Sequence, residues 1–135
     1  MRDQPRGEQL LASAEALLRD ELLPALPADK RQAGLMIARA LGIAARQLDN
    51  GEAPERQELA SLARLLAPAS DVSAADEPAA LRQQLQLANR QLGQLIRSGA
   101  ADAGASRTQV VQHLLQIARQ RVAESNPRYL ADSRR

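Results

Sequence analysis

Apolar residues recur at helical spacing along most of the chain. Leu11, Ala14, Leu18 and Leu22 follow the i, i+3, i+4 pattern of a one-sided helix, widened by Leu10 and Leu17, and predict a first helix over residues 8–22. Glu15 stands four residues before Arg19, the favourable order for a helical ion pair. Pro24 disfavours helical backbone at Leu23, so residues 23–26 read as an apolar connector closed by Pro27. A second helix starts at Pro27 or Ala28, with Asp29 near the positive end of its dipole. It runs to Leu48 or Asp49, where Asn50 and Gly51 supply the left-handed backbone that ends helices.

Within that second helix, residues 33–45 carry a single polar side chain, Arg39. Apolar atoms lie nearly all round, the pattern of a helix packed on several sides, and many of its residues are Ala or Gly. The expectation is a buried central helix, with Ile37, Ala40, Leu41 and Ala44 among the most buried residues. Gln32, Arg39 and Arg46 fall seven residues apart and share a narrow polar stripe.

The third helix starts at Pro54 and reaches Leu66, burying Leu59, Leu62, Ala63 and Leu66. Residues 67–75 read as a surface loop. Asp76 is placed to cap a fourth helix with Pro78 in its first turn. Leu81, Leu85, Ala88, Leu92, Leu95 and Ile96 form its apolar stripe, and Gly99 ends it. After a loop at 100–105, Ser106 or Thr108 caps a fifth helix whose expected buried face is Val111, Leu114, Leu115, Ala118 and Val122. Asn126-Pro127 terminates it. No internal repeat argues for a solenoid.

Composition sharpens the fold. The chain has 135 residues, no Phe, Trp or Cys and one aromatic, Tyr129, so its core rests on Leu, Ile, Val, Met and Ala. With 27 Ala and 22 Leu, both strong helix formers, the fold class is all-α. The expected architecture is a single-domain bundle of about five helices over residues 1–130, with 131–135 a loose tail. Absent cysteine excludes disulfides and thiolate zinc sites. The first residues lack the apolar core of a secretory signal, and Arg39 interrupts the longest apolar run, so a cytoplasmic protein without a membrane span is expected. Net charge is +2. Residues 1–76 hold 9 basic and 12 acidic groups, net −3, and residues 77–135 hold 9 and 4, net +5. Such asymmetry suits attraction within one fold or an anionic partner.

Candidate chemistry is sparse. His113 is the lone histidine, with Gln109, Val110, Gln116 and Ile117 as helical neighbours, and reads as a boundary residue. No His-Glu-x-x-His pattern and no strand-borne phosphate loop is present, so no metal or cofactor site and no catalytic residue is expected. Arg39, set in an apolar helix, must reach water or an acceptor; the simpler expectation is an ion pair with a neighbouring helix, the sharper one an anion contact through its stripe. Arg90 and Arg97 share the polar side of the fourth helix with Arg82 beside them, but base-stacking aromatics are missing, which argues against nucleic acid.

Met1-Arg2-Asp3-Gln4-Pro5, Asp29-Lys30-Arg31 leading into Leu35-Met36, Asn89-Arg90 and Asn126-Pro127-Arg128-Tyr129-Leu130 resemble a bacterial family of small all-helical proteins of unknown function. That resemblance spans essentially the whole chain. Its members are often encoded beside proteins similar to acyl-CoA dehydrogenases and to aminoglycoside-phosphotransferase-like kinases, which implies an accessory role in acyl-CoA metabolism. The chain departs from the pattern at Gln32 and Arg39, where members commonly resemble Tyr and Asn. With Arg39, the residues carrying the resemblance make a candidate polar cluster: Asp3, Arg31, Arg39, Asn89, Arg90, Asn126 and Arg128.

Together these observations predict a non-catalytic helical protein that binds a protein partner, either a kinase-like or dehydrogenase-like neighbour or a second copy. The alternatives are a module for acyl-CoA or another phosphate-bearing anion and, more weakly, a nucleic-acid binder. No nucleophile–base constellation points to an enzyme.

Overall fold

Pro24 has no N–H, and its ring crowds the carbonyl four residues back. In a computed structural model of the chain, which describes residues 4–66 and 77–132, the helix widens ahead of this proline rather than stopping. Helix α1, Gly7–Leu17, passes into a π-helical turn, Leu18–Leu22, and the Leu23 N–H donates to the Leu18 carbonyl five residues earlier. Leu23 keeps right-handed helical angles and opens the short α2, Leu23–Ala25. The expected break at Leu23 is therefore corrected. The wider turn supplies the bonding geometry that proline denies to a regular α-helix.

The remaining helices are α3 (Ala28–Asn50), α4 (Ala53–Leu66), α5 (Pro78–Arg97), α6 (Gly104–Ser125) and α7 (Pro127–Asp132). Among the described residues there is no strand, and the all-α class stands. Gly51 (φ 57°) ends α3 and Gly99 (φ 76°) follows α5, where the left-handed backbone that glycine tolerates is needed. Glu77 takes the N-cap position of α5, while Asp76 and the expected loop at 67–75 lie outside the described residues. The expected start of the fifth helix moves back to Gly104. Of the expected loose tail over residues 131–135, Ala131 and Asp132 are helical and residues 133–135 lie outside the described residues.

The chain divides into two compact units, Met1–Gly51 with Ala123–Arg135, and Glu52–Val122. In the first, α1 runs antiparallel to α3: Gly7 lies opposite Leu48, Glu15 opposite Gly42, and Leu23 and Leu26 opposite Gly34. A Cβ on Gly34 would sit 2.6 Å from Leu23 Cδ2, and one on Gly42 would sit 2.6 Å from Glu15 Oε2. The side chains of Leu23, Leu26 and Glu15 therefore fill the space over the two glycines, and the buried stripe of α3 is Gly34, Ala38, Gly42 and Ala45.

This corrects the expected central helix. Ile37 is 55% exposed, Ala40 is exposed, and Leu41 and Ala44 are only half-buried. The small residues of α3 form the buried face because they leave room for the larger side chains of the facing segment, Leu23 and Leu26 over Gly34 and Glu15 over Gly42, which gain dispersion contacts there. The C-terminal part of the unit is tied to α3: Arg46 Nε donates to the Glu124 carbonyl at 2.5 Å, and Asn50 Nδ2 to Glu124 Oε1 at 3.0 Å.

The second unit holds the larger apolar core. Leu59 and Leu62 of α4 meet Leu81, Leu85, Ala88 and Leu92 of α5, together with Ala101 and Val110, and Leu65, Leu66 and Leu95 pack at the margin. The expected stripe of α5 is borne out except at Ile96, which is exposed. Leu62 and Leu81 are fully buried, each contributing about 2 kcal/mol of apolar transfer. The expected buried face of α6 is corrected: Val111, Leu114, Leu115 and Ala118 are exposed and Val122 is half-buried, whereas Val110 and His113 are buried. Helix α6 is apolar on more than one side, and its packing selects the side bearing His113.

Candidate functional site

Arg39 and Arg46 lie one heptad apart on α3, so both project from the same flank of the helix, beside its buried stripe. Glu15 and Arg19 approach that flank from α1 and the π-helical turn. The break between α6 and α7 adds Ser125, Asn126, Pro127 and Arg128. With Leu35, these residues line a cleft of about 540 Å³ within the first unit.

Among the described residues its charge is one-sided: Arg19, Arg39, Arg46 and Arg128 face one carboxylate, Glu15. Glu15 Oε1 accepts from Arg19 Nη2 at 2.5 Å, so this acid is already committed to one guanidinium. Arg46 is steadied through its Nε on the Glu124 carbonyl at the end of α6. Arg39 and Arg128 are exposed and make no ion pair among the described residues. The expected salt bridge from Arg39 to a neighbouring helix is thus corrected. On the exposed flank of α3 the guanidinium reaches water directly and is not forced to find a carboxylate.

Of the candidate cluster, the structure brings Arg39, Asn126 and Arg128 to this cleft. Arg31 stands outside it, with its Nε donating to the Leu26 carbonyl at 3.1 Å, where α2 ends. Asn89 belongs to the second unit, where Nδ2 donates to Glu58 Oε1 at 2.9 Å and to the Leu85 carbonyl at 3.1 Å. Arg90 lies exposed on α5, and Asp3 lies outside the described residues. Sequence reasoning placed Arg46 beside Arg39 but took Arg19 only as the partner of Glu15. Nothing in the sequence shows that α1 and α7 converge on this flank.

A second polar site lies in the second unit. Ser61 Oγ and His113 Nδ1 share a hydrogen bond of 2.9 Å, beside a hollow lined by Arg64, Gln109, Gln112 and Gln116. His113 is 3% exposed, which corrects its expected boundary position. Burial pushes its pKa below the ordinary 6.5, opposed by the nearby Glu58 carboxylate. A serine touching a histidine is the beginning of a nucleophile–base pair, but Ser61 sits inside α4, where backbone N–H groups are spent on the helix and offer no oxyanion donors. The arrangement satisfies a buried imidazole. Among the described residues no group of acids or histidines is placed to hold a metal ion, and no helix is long and apolar enough to cross a membrane.

No curated protein and no solved structure matches the chain. A family model described as a domain of unknown function, DUF6285, matches residues 24–129, from the proline of α2 to the tyrosine of α7. Most of the chain, including α3 and the Arg39–Arg46–Arg128 side of the cleft, falls within that match, and the protein is a member of this family.

Proposed function

We propose that the protein is a non-catalytic interaction module of the cytosol that docks a partner protein through a partly exposed apolar seam on α3. The observation that carries this reading is the row Ile37, Leu41, Ala44 and Leu48, spaced 4-3-4, with Ile37 55% and Leu48 56% exposed. That spacing is the seam along which two helices pack at a shallow crossing angle, each side chain entering a gap on the facing helix. Leu48 also lies against Gly7 at the start of α1, so Ile37 and the exposed part of Leu48 are where the row is open to a partner. The fitting occupant is an amphipathic helix of another protein with a matching heptad stripe. The gene neighbourhood implied by the family resemblance makes acyl-CoA dehydrogenase-like and kinase-like proteins the partners to test first.

The test is co-purification of the tagged protein with each purified neighbour, alongside light scattering of the protein alone. The reading expects a stoichiometric complex that I37E and L48E abolish while the far-UV circular dichroism spectrum is kept. A self-association that the same variants abolish would make a second copy the occupant. A strict monomer that binds neither neighbour, or a complex indifferent to both variants, overturns the proposal.

A further inference from the structure

We infer that the cleft of the first unit binds the phosphoryl groups of a small phosphorylated molecule, with Arg39 and Arg128 as the principal ligands and Arg46 as a fixed third. Three observations converge on this. Among the described residues, four guanidinium groups share one cleft with a single carboxylate, and that carboxylate is bonded to Arg19, so three positive charges are left without a counter-charge in the described lining. Like charges gathered in a concavity raise the local potential, a cost that an arriving multivalent anion relieves. The three are also differently held. Arg46 is anchored by its Nε on the Glu124 carbonyl, which leaves its terminal nitrogens available, while Arg39 and Arg128 make no hydrogen bond or ion pair among the described residues.

The second ground is shape. A cleft of about 540 Å³ lies in the ~300–1,000 Å³ range of small-molecule sites and takes more than a single phosphate ion. The third is donor chemistry. A guanidinium presents a planar fork of N–H groups that meets two oxygens of one phosphoryl group. Asn126 on the same wall adds an amide able to donate to a further oxygen, and Leu35 offers an apolar surface for the remainder of the molecule. A carboxylate ligand would satisfy one fork. Three uncompensated forks match a di- or triphosphate class of anion better.

Binding is measured by isothermal titration calorimetry of the full chain with pyrophosphate, inorganic phosphate and succinate in 0.15 M chloride, a background of about physiological ionic strength. Pyrophosphate should bind one-to-one and more tightly than succinate. R39Q and R128Q should each weaken it about tenfold, the loss of one charge-assisted contact. R119Q, which removes an exposed charge of α6 outside the lining, should leave it unchanged. In a second measurement on the wild-type protein, pyrophosphate should shift the backbone amide resonances of Arg39, Arg46, Ser125, Asn126 and Arg128. Absence of saturable binding, succinate binding as tightly as pyrophosphate, equal weakening by R119Q, or shifts confined to other residues would each overturn the inference.

Discussion

Replacing Ala38 by leucine adds three carbon atoms at a position that is 0% exposed. On either side of it, the Cβ positions of Gly34 and Gly42 already lie 2.6 Å from Leu23 Cδ2 and from Glu15 Oε2. Side chains of the facing segment therefore already occupy the space along this stripe of α3. If space existed, three buried methylene equivalents would contribute about 2 kcal/mol. Without it, the helices must separate along the stripe and lose contacts at Gly34, Gly42 and Ala45 as well, so the net effect is a destabilisation of about 1–3 kcal/mol. Ala40→Leu is the matched control. It has the same chemistry and nearly the same helix propensity but lies on an exposed face, and it should change stability by less than about 0.5 kcal/mol. Urea denaturation followed by circular dichroism reads both. With a slope of about 2 kcal/mol per molar urea, Ala38→Leu should lower the midpoint by about 0.5–1.5 M and leave the slope unchanged. An Ala38→Leu protein as stable as wild type, or an Ala40→Leu protein that loses more, would refute the small-residue interface.

Other outcomes test the second unit. His113 has a folded pKa below its ordinary 6.5 because it is buried. The unfolded chain therefore binds the extra proton first. Stability from this group should be complete above pH 6.5 and decline as pH falls from there through the folded value. Urea midpoints at pH 7.5, 6.0 and 5.0 should show that decline in wild type and not in H113Q, and a midpoint that rises toward pH 5 in wild type alone would contradict it. Leu62→Ala, at a fully buried site in the α4–α5 core, should cost about 2–5 kcal/mol, whereas Leu87→Ala on the exposed side of α5 should cost about 0.5 kcal/mol or less. Equal losses in thermal unfolding would mean that the core lies elsewhere.

Helix positions were legible in the sequence because their signals are local. Gly51 and Gly99 mark ends where a left-handed backbone is needed, and Pro54 and Pro78 mark starts where a missing N–H does no harm. The buried stripe of α5 was legible too, since Leu81, Leu85, Ala88 and Leu92 occupy one side and Arg and Gln much of the rest. Where apolar residues cover more than one side, periodicity names no winner. In α3 the rows Gly34–Ala38–Gly42–Ala45 and Ile37–Leu41–Ala44–Leu48 both read as candidate interfaces, and transfer free energy alone favours the larger side chains. The side chains of Glu15, Leu23 and Leu26, seated over the glycines, decided for the small ones. In α6 the buried side carries Val110, which joins the apolar core of α4 and α5, and His113, which shares a hydrogen bond with Ser61 of α4. The cleft belongs almost wholly to this second category. The heptad spacing puts Arg39 beside Arg46, but only the folding of α1 and α7 onto one flank of α3 adds Arg19 and Arg128. Local rules act through a few neighbouring residues, whereas convergence of remote segments depends on which face each helix buries.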